Sequence, residues 1–218
     1  MVSKVDLRGL KPGGPGWEEA RAAAHGAVLV VHDAVGPDLR QALFGRASPE
    51  FYAIPPDAKQ LVSGPINGYI GPRPQAPAYE SACVRETTLD GSVVRDAAAV
   101  VWPDGYPAFR DTIETFAKNM LDLQTTLETM ILEGLGVRKE HIDAHLQGPA
   151  VALRVARRDG ERDVHAGAQG PTVLPLLAQH DVDGLELQVD GGRWLPVPAE
   201  PGTFTVVAGE LLTVKLMN

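Results

Sequence analysis

A chain of 218 residues with 44% hydrophobic and 22% charged residues can bury a sizeable core in one large or two small domains, which argues against wholesale disorder. Its twenty basic and twenty-eight acidic residues leave a net charge of −8, so no nucleic-acid partner is expected. No apolar run approaches the roughly 18 residues of a membrane span. The opening residues lack the apolar core of a secretory signal, and the one cysteine, Cys83, has no internal partner for a disulfide. Together these features predict a cytoplasmic protein with no membrane partner.

In chain order, Lys4–Leu7 reads as a short strand, ended by the Gly/Pro cluster at 11–16. Trp17–Ala24 holds helix formers throughout, with Glu18 and Glu19 in its first turn and Gly26 just past its end. Ala27–Val31 is a short β-branched apolar run, hence a buried strand. Pro37–Phe44 opens on proline as a second helix. Residues 54–108 carry many of the prolines and read as long loops with a few short strands, Tyr69 and the Pro72–Pro77 stretch forming a surface loop beside a pocket or apart from one.

The strongest periodicity begins near Pro107. Phe109, Ile113, Phe116, Met120, Leu123, Leu127 and Met130 recur every third or fourth residue, one stripe of a helix ending near Gly134 or Gly136. A rod of about 40 Å results. It is expected to back a sheet as a core scaffold, with a coiled-coil seam as the alternative. A short polar helix over 138–146 follows.

Beyond residue 149 come five short strand candidates, Val151–Val155, Thr172–Leu177, Leu185–Val189, Arg193–Val197 and Thr203–Val207, with a sixth at Leu211–Leu216. Asp-Gly, Gly-Gly and Pro-Gly pairs punctuate them, as in a sandwich, barrel or jelly roll. A jelly roll needs about eight strands, so an incomplete one is predicted.

Familiar catalytic patterns are missing. The sequence holds no G-x-x-x-x-G-K-[ST], no G-x-G-x-x-G between strand and helix, and no G-x-S-x-G. His141 and His145 share a helix face, but no H-E-x-x-H is formed, and with His25 and His32 they read as surface residues. Arg154, Arg157, Arg158 and Arg162 alternate with acids and read as a solvated turn able to meet an anionic partner.

Several separated segments carry a resemblance. They are Val5-Asp-Leu7, Gly26 with Val30, Phe51-Tyr-Ala-Ile-Pro55 with Lys59, Gly68-Tyr69, Trp102-Pro103 before Phe109-Arg110, and Met130–Val137. Leu176-Leu-Ala-Gln179, Asp181–Leu185, Gly192–Val197, Pro201–Phe204 and Gly209–Leu212 continue it. In this order the chain resembles the plant 2-oxoglutarate- and iron(II)-dependent dioxygenases, nearest the group resembling glucosinolate-modifying and gibberellin-oxidising enzymes. The resemblance implies an α+β fold: an N-terminal helical and loop region over 1–105, scaffold helices over 106–148, and a partial jelly-roll core over 149–218.

The family holds Fe(II) with two histidines and a carboxylate, leaving positions open for 2-oxoglutarate and oxygen. Counted back from Leu176-Leu-Ala-Gln179, its His-x-Asp motif falls on Ala168 and Gly170, neither of which can coordinate iron. The third ligand falls roughly fifty residues past the first, beyond Asn218, and a cosubstrate-binding tyrosine falls on or near Arg158. The resemblance therefore implies a dioxygenase-like protein with no catalytic residues and no bound cofactor, acting through a small-molecule or protein partner. One alternative is an active Fe(II)/2-oxoglutarate oxidoreductase of plant specialised or hormone metabolism. Its ligands would be Asp163 and His165, or His180, or be completed by another chain. Another is a truncated product without a role, self-associating through exposed sheet edges.

Overall fold

The computed structural model describes residues 3–23, 28–60, 68–74, 77–86, 92–147, 151–158, 174–189 and 192–207. In chain order the elements are β1 (Ser3–Asp6), α1 (Trp17–Ala23), β2 (Val28–Val31), α2 (Pro37–Ala42), α3 (Ser48–Ala53), α4 (Pro56–Gln60), β3 (Gly68–Ile70), β4 (Tyr79–Glu86) and α5 (Ser92–Val101). They continue with α6 (Pro107–Gly134), α7 (Lys139–Leu146), β5 (Val151–Arg158), β6 (Leu176–Ala178), β7 (Leu185–Val189), β8 (Arg193–Val197) and β9 (Thr203–Val206). Two compact units form: one from Met1–Pro37, Asp122–Gln147 and Gln169–Asn218, the other from Asp38–Leu121 and Gly148–Ala168. Among the described residues no helix is long and apolar enough to cross a membrane.

The first unit is built on a four-stranded sheet of order β1-β2-β9-β6. Strand β2 runs parallel to β1 and antiparallel to β9, aligning Val5, Val30 and Phe204 in one cross-strand row, each at most 7% exposed. The neighbouring row, Leu29 and Thr205, is buried as well. Burial on both faces explains why β2 is apolar at consecutive positions instead of alternating. Trp17 at the start of α1 is 1% exposed, and its indole N–H donates to Glu133 Oε2 of α6 at 2.6 Å. Strands β7 and β8 form a separate hairpin that puts Leu185, Leu187, Leu195 and Val197 on one face.

From Ile113 to Met130 the stripe predicted on α6 is buried within the single chain, with Leu123 and Met130 fully covered and Phe109 half-buried, so it is core and not a coiled-coil seam. At 28 residues the helix is about 42 Å long. It ends at Gly134, the first of the two expected glycines, and the second closes it. Gly136 has φ +72°, its N–H bonds to the Glu133 carbonyl, and Val137 N–H bonds to the Leu132 carbonyl. That double closure needs a left-handed residue, which glycine adopts without a Cβ clash.

The second unit holds a three-stranded antiparallel sheet of order β3-β4-β5. Strands β4 and β5 pair along eight residues, from Tyr79↔Arg158 to Glu86↔Val151. Ala82, Val84, Leu153 and Val155 share one face with the helical residues Phe51, Ala98, Phe109 and Ile113 and with Trp102 just past α5. The rings of Trp102 and Phe109 lie 4.4 Å apart, and Phe51 stacks near Phe109 at 6.2 Å.

Residues 54–108 differ from expectation. They hold an eight-residue strand and a ten-residue helix, where long loops with only short strands were predicted. The valines of α5 lower its intrinsic helix propensity, and Glu80 at a buried position of β4 breaks the apolar alternation of a half-buried strand. The arginine-rich segment is a strand and not a turn: Arg154, Arg157 and Arg158 lie on β5, which runs past the predicted end at Val155, and Arg162 lies outside the described residues. The strand predicted over Thr172–Leu177 starts instead at Leu176 and runs to Ala178, with 172–173 outside the described residues. The sixth candidate, Leu211–Leu216, also lies outside them.

Candidate functional site

The positions that sequence reasoning weighed as iron ligands, Asp163 and His165, lie outside the described residues, as do Ala168, Gly170 and His25. His180 and Asp181 are described: both are more than half exposed, and His180 Nε2 lies 3.5 Å from the carboxylate of its own neighbour. Among the described residues no three His, Cys, Asp or Glu side chains are grouped to hold a metal.

The other histidines have partners of their own. His32 is half-buried and not a surface residue. Its Nδ1 accepts from Ala34 N–H at 2.9 Å and caps the short 3-10 turn Asp33–Val35. Burial lowers its pKa below the ordinary 6.5, against the opposing charges of Asp33 and Asp6. His145 Nε2 lies 3.1 Å from Glu128, which is 4% exposed and also receives Gln124 Nε2 at 2.8 Å. His141 pairs with Arg138 on the surface.

Chemistry-bearing side chains concentrate on the β3-β4-β5 sheet, and strand alternation sorts them into two sets. On the helix-facing side Glu80 is the hub. Its Oε2 receives Lys59 Nζ at 2.9 Å and the Tyr69 hydroxyl, while Oε1 meets Arg157 Nη2 at 2.8 Å. Lys59, 2% exposed, also donates to the Tyr52 carbonyl at 3.0 Å and stands 4.8 Å from the centre of the Tyr69 ring. Tyr52 in turn donates to the Val155 carbonyl at 2.7 Å. Burial alone would raise the Glu80 pKa; hydrogen bonds from Tyr69 and Lys59 and the charges of Lys59 and Arg157 hold it below the ordinary value. Tyr69 is pushed up to about 12 by burial and by its bond to the carboxylate, and burial pushes Tyr52 up as well.

On the opposite side Ser81 is fully buried and Cys83 is 8% exposed. Arg154, directly across from Cys83, donates Nη1 to Ser81 Oγ at 2.9 Å. Unlike Lys59 and Arg157, Arg154 has no carboxylate partner among the described residues. A guanidinium fixed in this way keeps further N–H donors for an anionic group. Sequence reasoning named Lys59 and Tyr69 as pieces of a resemblance but missed their meeting at Glu80, which had no local signal. It also missed Ser81.

The chain has the jelly-roll fold of the 2-oxoglutarate-dependent dioxygenases and is similar to them in sequence along nearly its whole length. No family model matches it. A curated relative, the probable 2-oxoglutarate-dependent dioxygenase AOP1.2 of Arabidopsis thaliana, is 25% identical over 226 residues, covering 95% of this chain and 68% of the relative. The rice dioxygenase for auxin oxidation superposes with a TM-score of 0.75 at 25% identity, over 96% of this chain and 71% of that one. The dioxygenase for auxin oxidation 1 of Arabidopsis thaliana, solved with 2-oxoglutarate, gives a TM-score of 0.80 at 18% identity, over 98% and 82%.

Proposed function

We propose that this chain is a dioxygenase-like protein that has lost the iron-dependent reaction and acts by binding a small anionic molecule. One observation carries the reading. Counted back along the sequence from Leu176-Leu-Ala-Gln179, the family's His-x-Asp motif falls on Ala168 and Gly170, and a methyl group and a hydrogen cannot donate to iron. Support for an anionic ligand comes from Arg154, held on buried Ser81 without a counter-charge among the described residues. Anaerobic titration with Fe(II) and 2-oxoglutarate tests the loss of catalysis. No metal-to-ligand charge-transfer band and no succinate are expected, and either signal refutes the reading.

The sequence similarity to enzymes favours a second reading, an active oxidoreductase with iron held by Asp163, His165 or His180. It requires that His165→Ala abolish Fe(II) binding measured by calorimetry. Binding that is absent from the unaltered chain, or unchanged in the variant, removes this alternative.

A further inference from the structure

In the second unit, helices α3, α5 and α6 do not close completely onto the β3-β4-β5 sheet. A cavity of about 60 Å³ remains. Its twelve lining residues include Phe51, Ala82, Val84, Ala98, Ile113 and Leu153, and none of the twelve is charged. The void has a simple origin in sequence: Ala82 on β4 faces Ala97 and Ala98 on α5, and three methyl groups leave unfilled the space that larger side chains would occupy. One polar atom reaches the wall. Ser48 Oγ at the start of α3 is buried and has no hydrogen-bond partner among the described residues.

We propose that this cavity is a binding site for one small uncharged molecule, smaller than benzene and apolar except for a single hydrogen-bond-accepting atom that meets the Ser48 hydroxyl. Size sets the upper bound. A water needs about 10–15 Å³, whereas a dry cavity of about 150 Å³ takes benzene; this one lies between them. Its walls set the chemistry. A water inside would need two to four polar partners, and the lining offers one hydroxyl. An apolar occupant regains the dispersion contacts that the surrounding side chains lack, while Ser48 loses its unsatisfied donor. The site lies on the opposite face of the sheet from Ser81, Cys83 and Arg154, so it is independent of the anion-binding reading above.

Methyl NMR of the full chain, titrated separately with xenon and with 2-propanol, tests the proposal. Both probes are expected to give saturable shifts at the Ala82, Ala98 and Ile113 methyls. Ala98→Leu, which fills the space, abolishes them, and Ala82→Val does so from the sheet side should the helix not accept the larger residue. Ser48→Ala leaves xenon binding unchanged and weakens 2-propanol about fivefold, the value of one neutral hydrogen bond. Absence of saturable shifts, or shifts that persist in a folded filled variant, overturns the site. Unchanged 2-propanol affinity in Ser48→Ala overturns the role given to its hydroxyl.

Discussion

Replacing Glu80 by Gln is expected to cost more stability than replacing Lys59 by Met, although the two residues form one ion pair. Glu80 serves three partners: Lys59 at 2.9 Å, Arg157 at 2.8 Å and the Tyr69 hydroxyl. Neutralising it leaves the Lys59 side chain, 3% exposed, with the Tyr52 carbonyl and aromatic faces as its remaining company. Breaking a buried pair in this way costs about 3–5 kcal/mol. In Lys59→Met the carboxylate keeps Arg157 and Tyr69, so the loss is that of hydrogen bonds to a charged donor, about 1.5–3 kcal/mol. Arg157 is 41% exposed, and its share is discounted accordingly. Thermal unfolding followed through Trp102 fluorescence reads the difference, with a fall of about 10 °C expected for Glu80→Gln and about half that for Lys59→Met. Because the Glu80 pKa is depressed in the fold, its contribution is complete above the ordinary value of 4.5 and is lost as pH falls through the folded value. Glu80→Gln should therefore also flatten the acid limb of the stability profile. Equal costs, or a larger cost for Lys59→Met, would show that the ammonium and not the carboxylate organises the cluster.

His32 gives a pH dependence of its own: its pKa is lowered on folding, so the unfolded chain binds more protons, and stability should rise with pH up to about 6.5 and then level off. His32→Asn retains an acceptor for Ala34 N–H and should remove that slope in urea titrations, whereas His32→Ala should lose about 1 kcal/mol at neutral pH. Trp17→Phe deprives Glu133 of its indole donor and should cost about 1.5–3 kcal/mol by denaturant unfolding, with α1 the first element to lose amide protection. Gly136→Ala forces a Cβ into φ +72° and should lower the unfolding midpoint by an amount worth about 1–2 kcal/mol, an effect that Gly36→Ala, at φ −66°, should not reproduce.

Where the sequence repeats a physical pattern, it could be read directly. The α6 stripe, its stop at a glycine and the two-sided burial of β2 follow from periodicity and glycine stereochemistry alone. Strand β4 and helix α5 were hidden because each breaks its own rule. β4 buries a glutamate whose neutralising partners, Lys59 and Arg157, come from positions 21 and 77 residues away. α5 joins β-branched residues, which lower intrinsic helix propensity, to a run of alanines. Charge patterns misled in the same way: Arg154, Arg157 and Arg158 look like a solvated cluster in one dimension, yet alternation along β5 sends Arg157 to Glu80 and Arg154 to Ser81 on opposite faces.

The residues that carry the resemblance in the second unit are also those that hold it together. Phe51, Tyr52, Lys59, Tyr69, Trp102 and Phe109 meet through ring contacts and through the Glu80 hub, and removing any one leaves a void or an unsatisfied polar group. The fold needs these residues, whatever happens at an iron centre. On the reading proposed above, the positions of the His-x-Asp motif, Ala168 and Gly170, answer to the reaction alone. A TM-score of 0.75 on an oxidising enzyme therefore reports the shared fold and not the chemistry. Introducing Ala168→His and Gly170→Asp separates the two kinds of constraint. Fe(II) affinity should rise in the double variant while the thermal midpoint stays unchanged without metal, and a fall in that midpoint would show that the two positions serve the fold as well.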